Sequence, residues 1–207
     1  MKSTFNSIGV IGTGVIGSGW IIRFLFNKKK VYVYDPNKKQ KEFLLSEIRR
    51  VKLSLSKIYK SKINIKNQLF FCNSIKEAVT NADLIQENTP ENERIKIKII
   101  KKISESAKKN AIIASSSSGL LPSRIQMQCI NPGRMIIAHP FNPVYLLPLV
   151  ELVKGKKTTN SSIKKAEIFY TEIGMKTLKL KKELPGYLSD RLQESMWRES
   201  LHIINEG

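Results

Sequence analysis

The string Gly12-Thr13-Gly14-Val15-Ile16-Gly17 constrains this chain more than any other feature. It follows directly on the short apolar run Ser7-Ile8-Gly9-Val10-Ile11. It leads into Trp20-Ile21-Ile22-Arg23-Phe24-Leu25-Phe26, which has the apolar density of a buried helix. A second run, Val31-Tyr32-Val33-Tyr34-Asp35, is β-branched and aromatic and stops at Pro36. Glycines spaced G-x-G-x-x-G also occur in ordinary turns. A strand before them, a helix after them and an acid 23 residues past the first glycine make a dinucleotide-binding fingerprint. Gly12 permits the tight turn, Gly14 lets a pyrophosphate approach the backbone, and Gly17 lets the helix pack on the strand. The N–H groups and dipole at the helix start then attract phosphate. Asp35 can accept hydrogen bonds from both ribose hydroxyls, and its charge repels a 2′-phosphate, which favours NAD over NADP. Lys38, Lys39 and Lys41 beside it keep a 2′-phosphate open.

Strands and helices keep alternating beyond Asp35. The periodicity predicts a helix over 40–59, with Phe43, Leu44, Ile48, Val51, Leu55 and Ile58 as its apolar face. Strands follow at 69–72, 83–85, 111–115 and 135–138, separated by helices at 74–80, 91–107 and 123–130. A strand at 149–153, a helix at 161–173 and a strand at 177–180 come next, and Pro185-Gly186 opens a last helix. This order implies an α/β fold: a Rossmann-type, doubly wound, mostly parallel sheet with helices on both faces. Ligands bind such a sheet beyond the carboxyl ends of its strands, where the polar clusters 86–91, 115–118 and 139–142 fall. The last helix carries Asp190, Glu194, Trp197 and Leu201 on one face. One helix cannot bury an apolar stripe alone. The expected organisation is a nucleotide-binding domain over 1–183 and the incomplete start of an all-α C-terminal domain over 184–207.

Composition narrows the function classes. The formal net charge is +19, from 36 basic and 17 acidic residues among 207. The excess is mostly lysine, spread along the chain together with Ile and Asn, whereas a nucleic-acid surface concentrates its charge and favours arginine forks. A solvated lysine surface is the expectation, without nucleic acid as a partner. No apolar run approaches the ~20 residues of a membrane span, so no membrane association is expected. Glycines at 9, 12, 14, 17 and 19 break the only N-terminal apolar stretch, against a signal peptide. Cys72 and Cys129 are far apart and make no C-x-x-C pattern, so no metal is expected, and a reduced cytoplasmic setting is.

Several further strings occur in order: Ala114-Ser115-Ser116-Ser117-Ser118, His139-Pro140-Phe141-Asn142-Pro143, Pro148-Leu149-Val150-Glu151 and Pro185-Gly186-Tyr187. With the glycine loop, they resemble the 3-hydroxyacyl-CoA dehydrogenase superfamily over essentially the whole chain. The resemblance implies an NAD-dependent dehydrogenase acting on the 3-hydroxyl of a small-molecule 3-hydroxy acid, and a homodimer once the C-terminal domain is complete. It implies His139 as general base, Glu151 as its acidic partner and Ser118 as the serine that binds the substrate hydroxyl. Glu91, Lys96 and Asn142 would line the cofactor and substrate site. The assigned chemistry is coherent: a neutral imidazole takes a proton near neutral pH, and a carboxylate on its far nitrogen fixes the tautomer. Acyl-CoA members usually carry Asn four residues after the glycine of Pro-Gly, where this chain has Asp190. That charge disfavours an acyl-CoA and suits a cationic substrate, with Phe141, Tyr145 and Trp197 as faces for a quaternary ammonium.

Overall fold

In the computed structural model, which describes residues 5–207, eight strands form one sheet. They are β1 (Ser7–Ile11), β2 (Lys30–Tyr34), β3 (Leu69–Phe71), β4 (Leu84–Glu87), β5 (Ile112–Ser115), β6 (Met135–Pro140), β7 (Leu149–Lys154) and β8 (Lys176–Leu180). The spatial order is β3-β2-β1-β4-β5-β6-β7-β8. Strands β1 to β6 are parallel, β7 runs antiparallel to β6, and β8 is parallel to β7. Strand order therefore reverses at β1, and the crevice between the ends of β1 and β4 is the switch point where such sheets bind ligands.

Helices α1 (Val15–Phe26), α2 (Lys39–Ile58) and α7 (Asn160–Glu172) cover one face, and α4 (Ile75–Val79), α5 (Glu93–Ser106) and α6 (Pro122–Ile125) the other. A single turn, α3 (Ile65–Gln68), precedes β3. The period of two along each strand divides its side chains between two cores. Ile8, Val10, Ile112, Ala114, Ile136 and Ala138 face the first core. Ile11, Ile113, Met135 and Ile137 face the second.

The mostly parallel, doubly wound sheet is as expected, and the differences are local. In α2 the buried stripe is Leu44, Ile48, Val51 and Leu55; Phe43 is exposed because it lies off that line, and Ile58, on the line, is exposed as the last residue of the helix. The helix expected over 123–130 closes after Ile125, because the i→i+3 bonds Met127 to Arg124 and Cys129 to Gln126 tighten the chain into turns. Strands β4 and β6 run further than their apolar residues, through Gln86 and Glu87 and through His139 and Pro140. Polar side chains at those positions are carried into the protein rather than beyond it.

Two contacts hold the segment after β6 onto α1. A Cβ on Gly19 would lie 2.9 Å from the Val144 Cβ, so only glycine lets Val144 sit there. The buried Arg23 donates from Nε to the Val144 carbonyl (2.8 Å) and from Nη1 to that of Ile173 (3.1 Å). At the other end of the domain, α8 (Ser189–Glu206) has no buried residue. Leu192, Met196, Leu201 and Ile204 are exposed along it. Among the described residues no helix is long and apolar enough to cross a membrane.

The glycines of the loop differ in their demands. A Cβ on Gly17 would stand 2.0 Å from the Gly12 carbonyl oxygen, so this glycine lets the helix pack on the loop itself; a Cβ on Gly14 would meet nothing within 4 Å. Gly17→Ala is expected to cost about 1–3 kcal/mol of stability. Gly14→Ala is expected to cost under about 1 kcal/mol. Urea denaturation of both variants checks the contrast.

Candidate active site

The glycine loop has the backbone features that a bound pyrophosphate would require. Gly12 has φ +87°, a left-handed conformation open to glycine. Helix α1 begins at Gly14 with no side-chain cap and no acid in its first turn, leaving its N–H groups for an anion. The space in front of Gly14 is open. Asp35, at the end of β2, accepts from Thr13 N (2.8 Å) and Thr13 Oγ1 (3.1 Å) on one oxygen and from Asn37 N (2.9 Å) on the other. Its carboxylate thus also ties the loop to β2. It lines a cavity of about 240 Å³ with Thr13, Lys38, Lys41, Phe71 and Cys72. Lys41 lies over the Phe71 ring (4.8 Å), a cation–π contact. Burial pushes the Cys72 thiol up to about 11, so it stays protonated at neutral pH.

A second cavity, about 370 Å³, opens beside the first turn of α1 and is lined by Ile16, Asn88, Thr89, Glu91, Lys96, Ser116, Ser118, His139 and Pro140. His139 and Glu151 are directly opposite in the antiparallel register of β6 and β7. Their side chains meet at 2.8 Å, His139 Nδ1 to Glu151 Oε2. Glu151 is 0% exposed. Its other oxygen accepts from the backbone N–H of Leu188 (3.1 Å) and Ser189 (3.0 Å) where α8 begins. Burial alone would raise its carboxyl, but the His139 hydrogen bond and the Ser189 donors outweigh it and hold the group below its ordinary value. An ionised carboxylate only accepts, so the neutral imidazole carries its proton on Nδ1 and keeps Nε2 as the acceptor. The rings of Phe141 and Tyr187 lie 5.3 and 5.7 Å from the imidazole. Tyr187 is fully buried and donates to the Leu120 carbonyl (2.7 Å).

Carboxylates also organise the serine loop. Glu91 accepts from Ser117 Oγ, from Ser118 N (3.1 Å) and from Gly119 N (3.3 Å), which places Ser118 on the cavity wall. Lys96 is 1% exposed, and its ammonium is surrounded by Glu87 (3.0 and 3.2 Å), the Thr89 carbonyl (3.0 Å) and Glu91 (3.5 Å). It lines the cavity as a neutralised, structural cation.

The expected site residues do not all gather here. His139, Glu91, Lys96 and Ser118 do, with Glu151 behind His139. Gly12, Gly14, Gly17 and Asp35 form the adjoining loop and nucleotide cavity. Asn142 is exposed and outside the lining of both cavities. Tyr145 is a correction, since it packs on the face covered by α1 and α2. Its hydroxyl accepts from Arg50 (3.3 Å) and its carbonyl from Tyr59 (2.8 Å). Phe141 and Asp190 line a third, open concavity with Glu194, Met196 and Trp197. Burial raises the Asp190 carboxyl; His139 opposes that, and Glu151 and Glu91 add to it. Glu87, which is buried and bonded to Lys96, Ser115 and Thr89, had no role assigned from sequence. Its only signal was an acid at the end of an apolar strand.

The chain belongs to the family described as "3-hydroxyacyl-CoA dehydrogenase, NAD binding domain", which matches residues 7–184. It is similar to L-carnitine dehydrogenase of Oceanobacillus iheyensis, 44% identical over 202 residues, covering 98% of this chain and 66% of that one. It is likewise similar to L-carnitine dehydrogenase of Bacillus cereus, 45% identical over 206 residues, covering 100% of this chain and 63% of that one. The chain thus spans slightly under two thirds of the length of these relatives. Among solved structures, FHMPC 5-dehydrogenase, an NAD+-dependent dismutase, superposes with a TM-score of 0.90 at 26% identity, covering 99% of this chain and 66% of that one. The cofactor is NAD, and the loop described above meets its demands.

Because the folded Glu151 carboxyl is held low, it stabilises the protein above the ordinary glutamate pKa, and that contribution is lost as pH falls through the folded value. Glu151→Gln is therefore expected to lower Tm by several degrees at about pH 7 and by much less at about pH 3. Calorimetric scans at both values check this; an equal loss at each would assign the carboxylate charge no role.

Proposed function

We propose that this chain supplies the NAD site and the general base of a dehydrogenase that oxidises the 3-hydroxyl of L-carnitine to 3-dehydrocarnitine. The observation that carries the reading is the His139–Glu151 pair, which faces the Ser118 cavity next to the glycine loop. When bound, NAD supplies the two-electron acceptor. The residues do the rest. Ser118 orients the substrate hydroxyl, His139 Nε2 takes its proton, and Glu151 stabilises the imidazolium that forms. General-base catalysis of this kind is worth about 10²- to 10⁴-fold. The relatives named L-carnitine dehydrogenase support the substrate. So does the concavity at α8, which gathers two carboxylates, Asp190 and Glu194, with the rings of Phe141 and Trp197. That set suits a quaternary ammonium better than the anionic, polyhydroxylated L-gulonate or an acyl-CoA. The exposed apolar stripe of α8 suits packing against the rest of an all-α C-terminal domain, with a homodimer once that domain is complete, and the free thiols of Cys72 and Cys129 suit a reduced, cytoplasmic setting.

His139→Ala is expected to reduce turnover of L-carnitine by at least about 10²-fold while NAD affinity, read by calorimetry, stays unchanged. Near-normal turnover would sink the mechanism. Asp190→Asn is expected to raise KM for L-carnitine about five-fold, the loss of a partly screened charge pair, and to leave a 3-hydroxy acid without a cationic group no worse used. An unchanged KM for L-carnitine would remove Asp190 as the cation's partner.

A further inference from the structure

A directional chain of hydrogen bonds, buried at its Tyr170 end and part-buried where it meets the cavity, runs from α7 to the glycine loop. Tyr170, fully buried on α7, donates its hydroxyl proton to Gln86 Oε1 (2.6 Å). Gln86 Nε2 donates to Ser116 Oγ (2.8 Å), and the indole of Trp20 donates to the same oxygen (3.0 Å). A hydroxyl has two acceptor positions and one proton. With both positions taken, Ser116 gives its proton to Asn88 Oδ1 (2.8 Å). That choice orients the Asn88 amide. Its Nδ2 faces the carbonyls of Gln86 (3.0 Å), Ile11 (3.4 Å) and Gly12 (3.5 Å).

The orientation matters because Asn88 braces the turn of the loop. Its backbone N–H donates to the Ile11 carbonyl (2.8 Å), and its own carbonyl oxygen would lie 2.7 Å from a Cβ on Gly12. A flipped Asn88 would set Oδ1 against three carbonyl oxygens and push on that turn. We infer that Ser116, with Gln86 and Tyr170 behind it, is a positioning residue for NAD: it holds the Asn88 amide in the one orientation that keeps the Gly12 turn closed around the cofactor. Ser116 lines the cavity, yet its hydroxyl is committed to this chain, which leaves substrate to Ser118. Tyr170 acts from outside the cavity. Without its proton, Gln86 Oε1 is buried and unpartnered, and its remedy is to turn and accept from Ser116, which releases Asn88. The inference rests on the loop's binding NAD and not on which 3-hydroxy acid is oxidised.

The test is calorimetric titration of NAD into the full chain, its Ser116→Ala and Tyr170→Phe variants, and the double variant. A second readout is the side-chain amide NMR signal of Asn88 in the cofactor-free protein. Each single change is expected to weaken NAD about five- to ten-fold, the cost of one misdirected buried hydrogen bond. Both are expected to move the Asn88 signal. The double variant is expected to lose no more than Ser116→Ala alone, since both changes break one path. Tyr170→Phe keeps its ring packed, so it decides the matter even if Ser116→Ala fails to fold. NAD affinity within about two-fold of the parent in folded Tyr170→Phe, or losses that add in the double variant, would overturn the inference. A parent that binds no NAD would overturn the cofactor reading instead; an unmoved Asn88 signal in Tyr170→Phe would then overturn this one.

Discussion

The site depends on one hydrogen bond across the reversal of the sheet, His139 to Glu151. Six parallel strands carry their loops to one edge, but they place no side chain opposite the end of the sixth. The chain achieves that by turning back, so that β7 pairs antiparallel with β6 and Glu151 stands in register with His139. Burial of a carboxylate is costly unless it is paired and hydrogen-bonded. Glu151 meets that condition twice over, through the imidazole and through the N–H groups at the start of α8. One carboxylate therefore sets the tautomer of His139 and anchors the helix that carries Asp190.

Elsewhere the active edge is organised by a related device, an acid that accepts from several donors, buried at Glu87 and partly or largely exposed at Asp35 and Glu91. Glu87 holds Lys96, Thr89 and Ser115, and Glu91 gathers the backbone of the serine loop. Asp35 does so for the glycine loop through Thr13. Breaking a buried ion pair such as Glu87–Lys96 typically costs about 3–5 kcal/mol, because the remaining charge has no partner. The large lysine excess plays no part in these contacts, apart from Lys96. Positive charge at the surface and carboxylates inside the edge are separate features of the molecule, and only the second shapes the chemistry.

Much of the fold was legible because its signals are local. The glycine spacing, the apolar runs and the alternation of periods each follow from a few neighbouring residues, and they pointed to a doubly wound sheet. Helix ends were less legible. Residues 126–130 have helical composition but close into turns, and Phe43 falls off the buried line of α2 by a fraction of a turn. Within the site, motifs pointed to His139, Glu151 and Ser118 and the polar cluster 86–91 marked a strand end, whereas the partners of Glu87 and Gln86, and Tyr170 altogether, were not legible. Ser115 and Tyr170 lie 28 and 84 residues from their partners Glu87 and Gln86, too far for any local pattern to pair them.

Local sequence thus decided where the chain turns, which segments form strands and helices, and that a dinucleotide loop opens the first helix. Register and packing decided the remainder. Tyr145 reads as an aromatic face near the substrate, yet it packs against α2, because the loop after β6 is held on α1 by Gly19 and Arg23. Phe141, four residues earlier, takes the exposed side and joins Asp190 and Trp197. Which of two neighbouring rings lines the concavity depends on contacts more than a hundred residues apart in sequence, such as Arg23 to Val144. Only the folded chain brings those residues together.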